Sequence, residues 1–296
     1  NMLAVNPNQT KFHSKQKPIS NRVYPARMTP GINRAYMKNI IDKEGRLINA
    51  TGACGLAVYR GDNFPESFYG QVIIPEPCAN MVKAAIVTES PGKYAGKNTY
   101  DNSEILASTD ERFRPVNAYT APDGTLYIVD LYRGILQHKK FLTTYLRKQI
   151  LSRGLDKPIG LGRIYRLRWK EKVAGDVPDF SKMKSKELIS WLKHTNGTLR
   201  DTARRLIIEK RDFSIVNSLN AIVEKSTNHL EVIAALWTLE GLDAVDIYFL
   251  KFIIQDLDER VRTAAVQIGE RYFAQSDAVS ALAKPLAKDN SSTVAK

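Results

Sequence analysis

STDERFRPVNAYTAPDGTLYIVDLYRG, residues Ser108 to Gly134, reads as strand, tight turn, strand. Two apolar runs flank Asp123-Gly124, and Asp-Gly in that setting marks a hairpin, because glycine accepts the positive φ of tight turns. Pro115 holds Arg114 extended and so fixes the way into the first strand. Leu126, Ile128 and Leu131, or their neighbours, are the expected packing residues of the second strand. Arg114 lies ahead of the hairpin, and Asp130, Tyr132 and Arg133 lie at its end. The stretch is therefore either the corner of a sheet or a piece of an active site.

The same β pattern runs outward over residues 46–169. RLINATGACGLAVYRG (Arg46–Gly61) is expected to hold β-rich segments up to a Gly-Asp turn. YGQVIIPEP (Tyr69–Pro77) is a short apolar strand stopped by prolines, which cannot donate to a ladder. MVKAAIVTES (Met81–Ser90) follows as its neighbour and ends at Pro91-Gly92. GRIYRLRW (Gly162–Trp169) makes a further strand. Between them QHKKFLTTYLRKQILSRGL (Gln137–Leu155) is helical and amphipathic, with Leu142, Tyr145, Leu146, Ile150 and Leu151 on one face. Short antiparallel strands with repeated turns point to a sandwich or propeller. The strand–helix alternation of a parallel α/β fold is missing, and so is a glycine-rich phosphate loop.

From about residue 179 the period becomes helical and the sequence repeats every 31 residues. Leu199, Leu230 and Val261 share one phase, Ala203, Ala234 and Ala265 a second, and Leu206, Trp237 and Ile268 a third. Leu219 matches Leu250, and Val223 matches Ile254. In the last unit these phases fall on Ala281 and Pro285, with Leu282 and Leu286 one position later. Alanine at one phase lets helices approach, and large residues at the others fill the seam. Each unit is thus a helix pair that must stack on its neighbours. Residues 181–296 form this array, with SKMKSKELISWLKHT (Ser181–Thr195) as its cap, and residues 170–180 are a polar linker.

The 296 residues, 43% of them hydrophobic, suffice for about two domains. No run of ~18 apolar residues suits a membrane span, and no signal-peptide pattern opens the chain. The net charge is +13. The first 41 residues carry Lys11, Lys15, Lys17, Arg22, Arg27, Arg34 and Lys38 and no acid. Such a stripe attracts nucleic acid, anionic lipid or an acidic partner, or is simply a solvated face. No nucleic-acid-binding motif accompanies it, so nucleic acid is not favoured. Asn8 and Asn49 begin N-x-T triplets of the glycosylation type. Cys54 and Cys78, each beside an apparent strand, are either a disulfide in an exported chain or two buried thiols. Without a Cys-x-x-Cys they make no metal site alone.

TPGINRAYMKNIIDKEGRL (Thr29–Leu47), TGACGLAVYRGDNFPESFYGQVIIPEPCANMVK (Thr51–Lys83), STDERFRPVNAYTAPDGTLYIVDLYRGILQHK (Ser108–Lys139) and GRIYRL (Gly162–Leu167) occur in this order. Together they resemble the C-terminal part of secreted bacterial membrane-bound-dehydrogenase-like proteins, relatives of the quinoprotein glucose and sorbosone dehydrogenases. The resemblance covers nearly all of residues 19–169. It implies blades of a β-propeller over residues 1–169, followed by HEAT-like repeats, in an exported protein that is periplasmic, outer-membrane-associated or extracellular. It implies oxidation of a sugar or alcohol with pyrroloquinoline quinone and calcium, and electron transfer to a c-type cytochrome. Three departures stand beside it. At ~40–50 residues per blade, residues 1–169 hold about three blades at most. The family's catalytic histidine belongs to an earlier blade. No Cys-x-x-Cys-His attaches a haem. The sequence is thus expected to be a fragment, or to receive its missing blades from another chain.

Polar residues next to strand ends are the candidates for a channel-side site: Arg60 and Asp62 of YRGD, Arg114 of FRP, and Asp130 and Arg133 of DLYRG. Arginine suits a quinone bearing carboxylates, since it is a permanently charged, bidentate donor. The alternative for each is a structural corner. His138 is the candidate general base present in this chain, although a histidine opening a cationic helix is commonly structural. A non-catalytic scaffold of blades and helical repeats is the competing functional reading.

Overall fold

The computed structural model describes residues 22–29, 39–90, 93–273, 288–291 and 294. Lys11, Lys15, Lys17, Arg34, Lys38, Asn8 and the last-unit residues Ala281, Leu282, Pro285 and Leu286 lie outside them. The chain divides into two compact units, residues 1–89 with 93–174 and residues 90–92 with 175–296. The first is built from antiparallel sheets and the second from helices. Among the described residues, no helix is long and apolar enough to cross a membrane.

The β unit contains two sheets. The first runs in the order β1 (Ala57–Val58), β2 (Val72–Glu76), β3 (Met81–Ser90) and β4 (Lys93–Asn98), and β5 (Leu106–Ala107) pairs Met81 and Val82 of β3. The second is β6 (Pro115–Thr120), β7 (Leu126–Asp130) and β8 (Arg163–Leu167), all antiparallel. The Asp123-Gly124 turn joins β6 to β7. Gly124 has φ +81°, which only glycine takes without strain. Asp123 Oδ1 accepts from the Thr125 N–H at 3.0 Å and closes the turn.

Alternation along β7 buries Leu126, Ile128 and Asp130 and leaves Tyr127 and Val129 half-buried. Leu131, expected in the core, is exposed instead, because β7 ends one residue earlier and Asp130 takes the inward position. Leu126 and Ile128 join Tyr59, Phe64, Phe68, Ile73, Val82, Ala84, Phe113 and Ala118 in one core. Within it the Tyr59 and Phe64 rings meet edge to face with centroids 5.0 Å apart, and Phe64 and Phe68 pack at a tilt.

Arg46–Gly61 is largely not strand, contrary to its apolar letters. It forms only β1 and two isolated bridges, Ile41 to Leu47 and Arg22 to Asn49. The cause is a distant carboxylate. Glu76 Oε2 accepts from the N–H groups of Thr51 and Gly52, each at 2.9 Å, which draws that main chain out of any ladder. Gly55, at φ +48°, then lies so close to β6 that an added Cβ would stand 2.0 Å from the Val116 carbonyl oxygen. β4 is a strand that the sequence pattern did not announce.

The helical interlude is also shorter than its pattern. A single 3-10 turn spans Lys139–Phe141, and α1 spans Thr144–Ser152 with Thr143 as its N-cap. Ile150 is buried, whereas Leu151 is exposed and falls off the packed face.

The helical unit comprises α2 (Ser185–Ile189), α3 (Gly197–Lys210), α4 (Val216–Lys225), α5 (His229–Gly241), α6 (Ile247–Ile253) and α7 (Glu259–Phe273). Asn196, Asn228 and Asp258 cap α3, α5 and α7 through side-chain oxygens that accept main-chain N–H groups. The repeated alanines Ala203, Ala234 and Ala265 are buried in one continuous core with Leu199, Leu219, Val223, Leu250, Val261 and Ile268. Small residues at that phase let α3, α5 and α7 pack in series.

Candidate functional site

The hairpin's flanking polar residues form a self-contained corner. Asp130 is almost fully buried, and its Oδ1 accepts from the N–H groups of Arg114 and Tyr132, both at 2.7 Å. Its Oδ2 is buried without a partner. Burial raises the Asp130 pKa, opposed by the two N–H bonds and by Arg163. The turn it caps places Tyr132 at φ +46°, with the Arg163 guanidinium 3.5 Å above the Tyr132 ring.

Arg114 points back across the same corner. Its Nη1 donates to the Pro77 carbonyl at 2.7 Å, its Nε to the Arg133 carbonyl at 3.0 Å, and its Nη2 to the Gly134 carbonyl at 3.3 Å. Burial pulls its pKa down. The Arg133 side chain is exposed, and the residue contributes its carbonyl to this corner.

One small cavity adjoins Arg114. It has a volume of about 70 Å³, and its walls include Arg27, Cys78, Glu111, Gln137 and Arg153. Glu111 bridges Arg27 at 3.3 Å and Arg153 at 2.8 Å. Asn80 braces it from behind. Its Nδ2 donates to the carbonyls of Glu111 and Phe113, and it stands at φ +55°, a conformation asparagine tolerates better than most residues.

Arg60 and Asp62 belong to a second corner, organised by Tyr59. The Tyr59 hydroxyl donates to the Gly124 carbonyl at 2.6 Å and accepts from the N–H groups of Asn63 at 3.1 Å and Phe64 at 2.9 Å. Burial pushes the phenol up to about 12, so it stays a donor throughout the physiological range. The Arg60 N–H donates to Thr120 Oγ1 at 3.0 Å, and the Asp62 carbonyl accepts from Lys172 Nζ. Asn63 Oδ1 accepts from the Trp169 N–H at 2.7 Å.

His138 is exposed. Its Nδ1 accepts from the Lys140 N–H at 3.3 Å, and its ring meets Phe141 edge to face. It does not line the Arg114 cavity. Cys54 and Cys78 are free thiols, and burial raises both pKa values. Glu76, absent from the candidate residues, organises the main chain around them and also accepts from the Cys78 N–H at 3.0 Å.

The five candidate cofactor-binding residues thus fall into two corners, and only Arg114 reaches the cavity. Sites for drug-sized ligands run to roughly 300–1,000 Å³, so a space of about 70 Å³ does not fit a tricyclic quinone. Among the described residues, no group of three or more His, Cys, Asp or Glu side chains could hold a metal ion.

Two further ionisable groups, buried Lys83 and half-buried Glu104, were not singled out by the sequence pattern. Lys83 Nζ donates to the Arg22 carbonyl at 2.6 Å and to Asn98 Oδ1. Burial lowers its pKa, opposed by Glu104. Glu104 Oε1 accepts from the Tyr24 N–H at 3.0 Å, Oε2 is buried without a partner, and burial pushes the carboxyl up to about 7.

The second sheet also has a face turned away from the core. Cross-strand rows on it are Asn117–Val129–Ile164 and Tyr119–Tyr127–Arg166. Tyr119 is 54% exposed and Ile164 is 65% exposed.

A family model described as a domain of unknown function (DUF7133) matches residues 1–171. No curated protein and no solved structure matches the chain.

Proposed function

The chain belongs to the family described as a domain of unknown function (DUF7133), and from its outward sheet face we propose that it acts as a non-catalytic interaction scaffold in an envelope or extracellular assembly. The observation that carries this reading is the outward row of exposed Tyr119, half-buried Tyr127 and Arg166, which pairs with Asp123, beside exposed Ile164. Apolar and aromatic side chains on an uncovered sheet face are characteristic of surfaces that meet another protein. The polar corners fit the same reading, because their side chains are engaged in holding main chain. Arg114 is directed at three carbonyls, Asp130 at two N–H groups, and Tyr59 at the hairpin turn. Each sheet is a run of largely successive antiparallel strands, which suits blades of a propeller. The serial packing of α3, α5 and α7 suits HEAT-like repeats.

A second reading rests on the motif set that resembles quinoprotein sugar and alcohol dehydrogenases. In it the described corners build the wall of a channel, and the quinone-contacting and proton-accepting residues lie elsewhere. The two readings separate in one assay: the protein isolated from its native source, with whatever further segments or partner chains it carries, is given pyrroloquinoline quinone and calcium and tested for dye reduction with a panel of sugars and alcohols. The scaffold reading expects no turnover. Turnover with any member of the panel overturns it in favour of the second.

A further inference from the structure

The cavity beside Arg114 carries more positive charge than its surroundings neutralise. Three guanidiniums, Arg27, Arg114 and Arg153, face one carboxylate, Glu111. Glu111 pairs with the first and the last. Arg114 forms no ion pair within 4 Å among the described residues, although burial disfavours its charge and the carboxylates of Glu111 and Asp130 only oppose this from a distance. Three of its contacts go to neutral carbonyls, while a guanidinium has five N–H donors. A charge taken out of water without a counter-ion is costly. The space is large enough for several water-sized centres, at ~15 Å³ each, or for one compact polyatomic ion. Guanidinium groups arriving from separate segments match the oxygens of a tetrahedral anion, which accepts paired N–H donors.

We propose that the cavity walled by Arg27, Glu111, Arg114 and Arg153 is a binding site for a tetrahedral oxyanion group, phosphate or sulfate by class. Arg114 supplies the unpaired charge. Arg27 and Arg153 are shared between the anion and Glu111, so Glu111 competes with the ligand. The group is either the free inorganic ion or the terminal group of an ester whose remainder lies outside. The site is independent of the scaffold reading and of the outward sheet face.

Cys78 lines the cavity and Cys54 does not, which provides a reporter and an internal control. The alkylation rate of each thiol in the intact 296-residue chain is followed by peptide mass spectrometry. Inorganic phosphate, sulfate, a sugar phosphate and chloride are compared at matched ionic strength. Phosphate or sulfate is expected to slow alkylation of Cys78 several-fold and to leave Cys54 unchanged, with chloride inert. Stronger protection by the sugar phosphate assigns the ester form, and equal or weaker protection assigns the free ion. Either supports the site. Arg153→Gln is expected to weaken the protection about tenfold in concentration, and Glu111→Gln to strengthen it by a similar factor. A purely structural role would not move these two variants in opposite directions. Identical Cys78 rates in all four salts mean that the cavity holds water only and overturn the proposal. So does weaker protection in Glu111→Gln with near-ultraviolet dichroism unchanged.

Discussion

Replacing Tyr59 by Phe tests whether the YRGD turn is a structural corner. The substitution keeps the ring, and with it the edge-to-face contact with Phe64 at 5.0 Å. It removes the hydroxyl, which makes three buried hydrogen bonds. The Phe64 N–H is left without an acceptor, at a cost of roughly 1–3 kcal/mol. The Asn63 N–H falls back on the Gly124 carbonyl at 3.4 Å, a long bond it already shares. Losing that bond to the hydroxyl and the bond to Gly124 adds roughly 0.5–1.5 kcal/mol each. The sum is about 4 kcal/mol, or nearly a thousandfold in the opening equilibrium at ~1.4 kcal/mol per factor of ten. Hydrogen exchange of the Asn63 and Phe64 amides, read by mass spectrometry on the full chain below pH 10, should accelerate by about that factor. Peptides of α3–α7 serve as the unchanged reference. An acceleration below about threefold would mean that the hydroxyl does not hold this turn, and the structural account of Arg60 and Asp62 would fall with it.

Three further outcomes follow from buried groups. The Glu104 carboxyl is held at about 7 when folded against an ordinary value of 4.5, so its stabilisation is complete below pH 4.5 and is lost as pH rises through about 7. At ~1.4 kcal/mol per pH unit the ceiling is roughly 3 kcal/mol, and solvent screening of this half-buried group brings it to roughly 1–2 kcal/mol. The pH dependence of Tm across that window should flatten in Glu104→Gln, and an unchanged slope would refute the assignment. Arg114→Met removes donors from the carbonyls of Pro77, Arg133 and Gly134 and should destabilise the β unit by about 2–4 kcal/mol in urea titrations; a loss under ~1 kcal/mol would mean that these three bonds do not hold the corner. Ala203→Leu overfills the fully buried alanine phase of α3 and should cost about 1–3 kcal/mol, whereas Glu224→Leu at an exposed position of α4 should be nearly neutral in the same titration.

The parts of this molecule legible in its sequence are those set by neighbours a few residues away. Asp123-Gly124 specifies its own turn, and the alternation of Leu126 to Ile128 specifies the buried face of β7. The alanines at 203, 234 and 265 announce close helix contacts because their spacing repeats. What stayed hidden depends on partners far along the chain. Arg46–Gly61 is rich in strand-forming letters, yet Glu76 captures its N–H groups from 24 and 25 positions away. Lys93–Asn98 has few strand-forming residues and is a strand through its place at the edge of β3. Arg114 and Asp130 were visible as polar residues at a strand end. Nothing in their letters says whether a guanidinium meets a ligand or a ring of carbonyls. Tyr59, Asn80 and Glu111 escaped because a buried keystone and an exposed polar residue carry the same letter.

The central claim is that the face carrying Tyr119, Tyr127 and Ile164 is an assembly surface. Hydroxyl-radical footprinting of its exposed Tyr119 and Ile164 side chains measures it directly, comparing the purified 296-residue chain with the protein left in its native setting. The account predicts ready oxidation in the purified chain and protection of about tenfold in the native material, with exposed Phe252 of the helical unit as a reference for dose. Equal oxidation of Tyr119 and Ile164 in both preparations would contradict it.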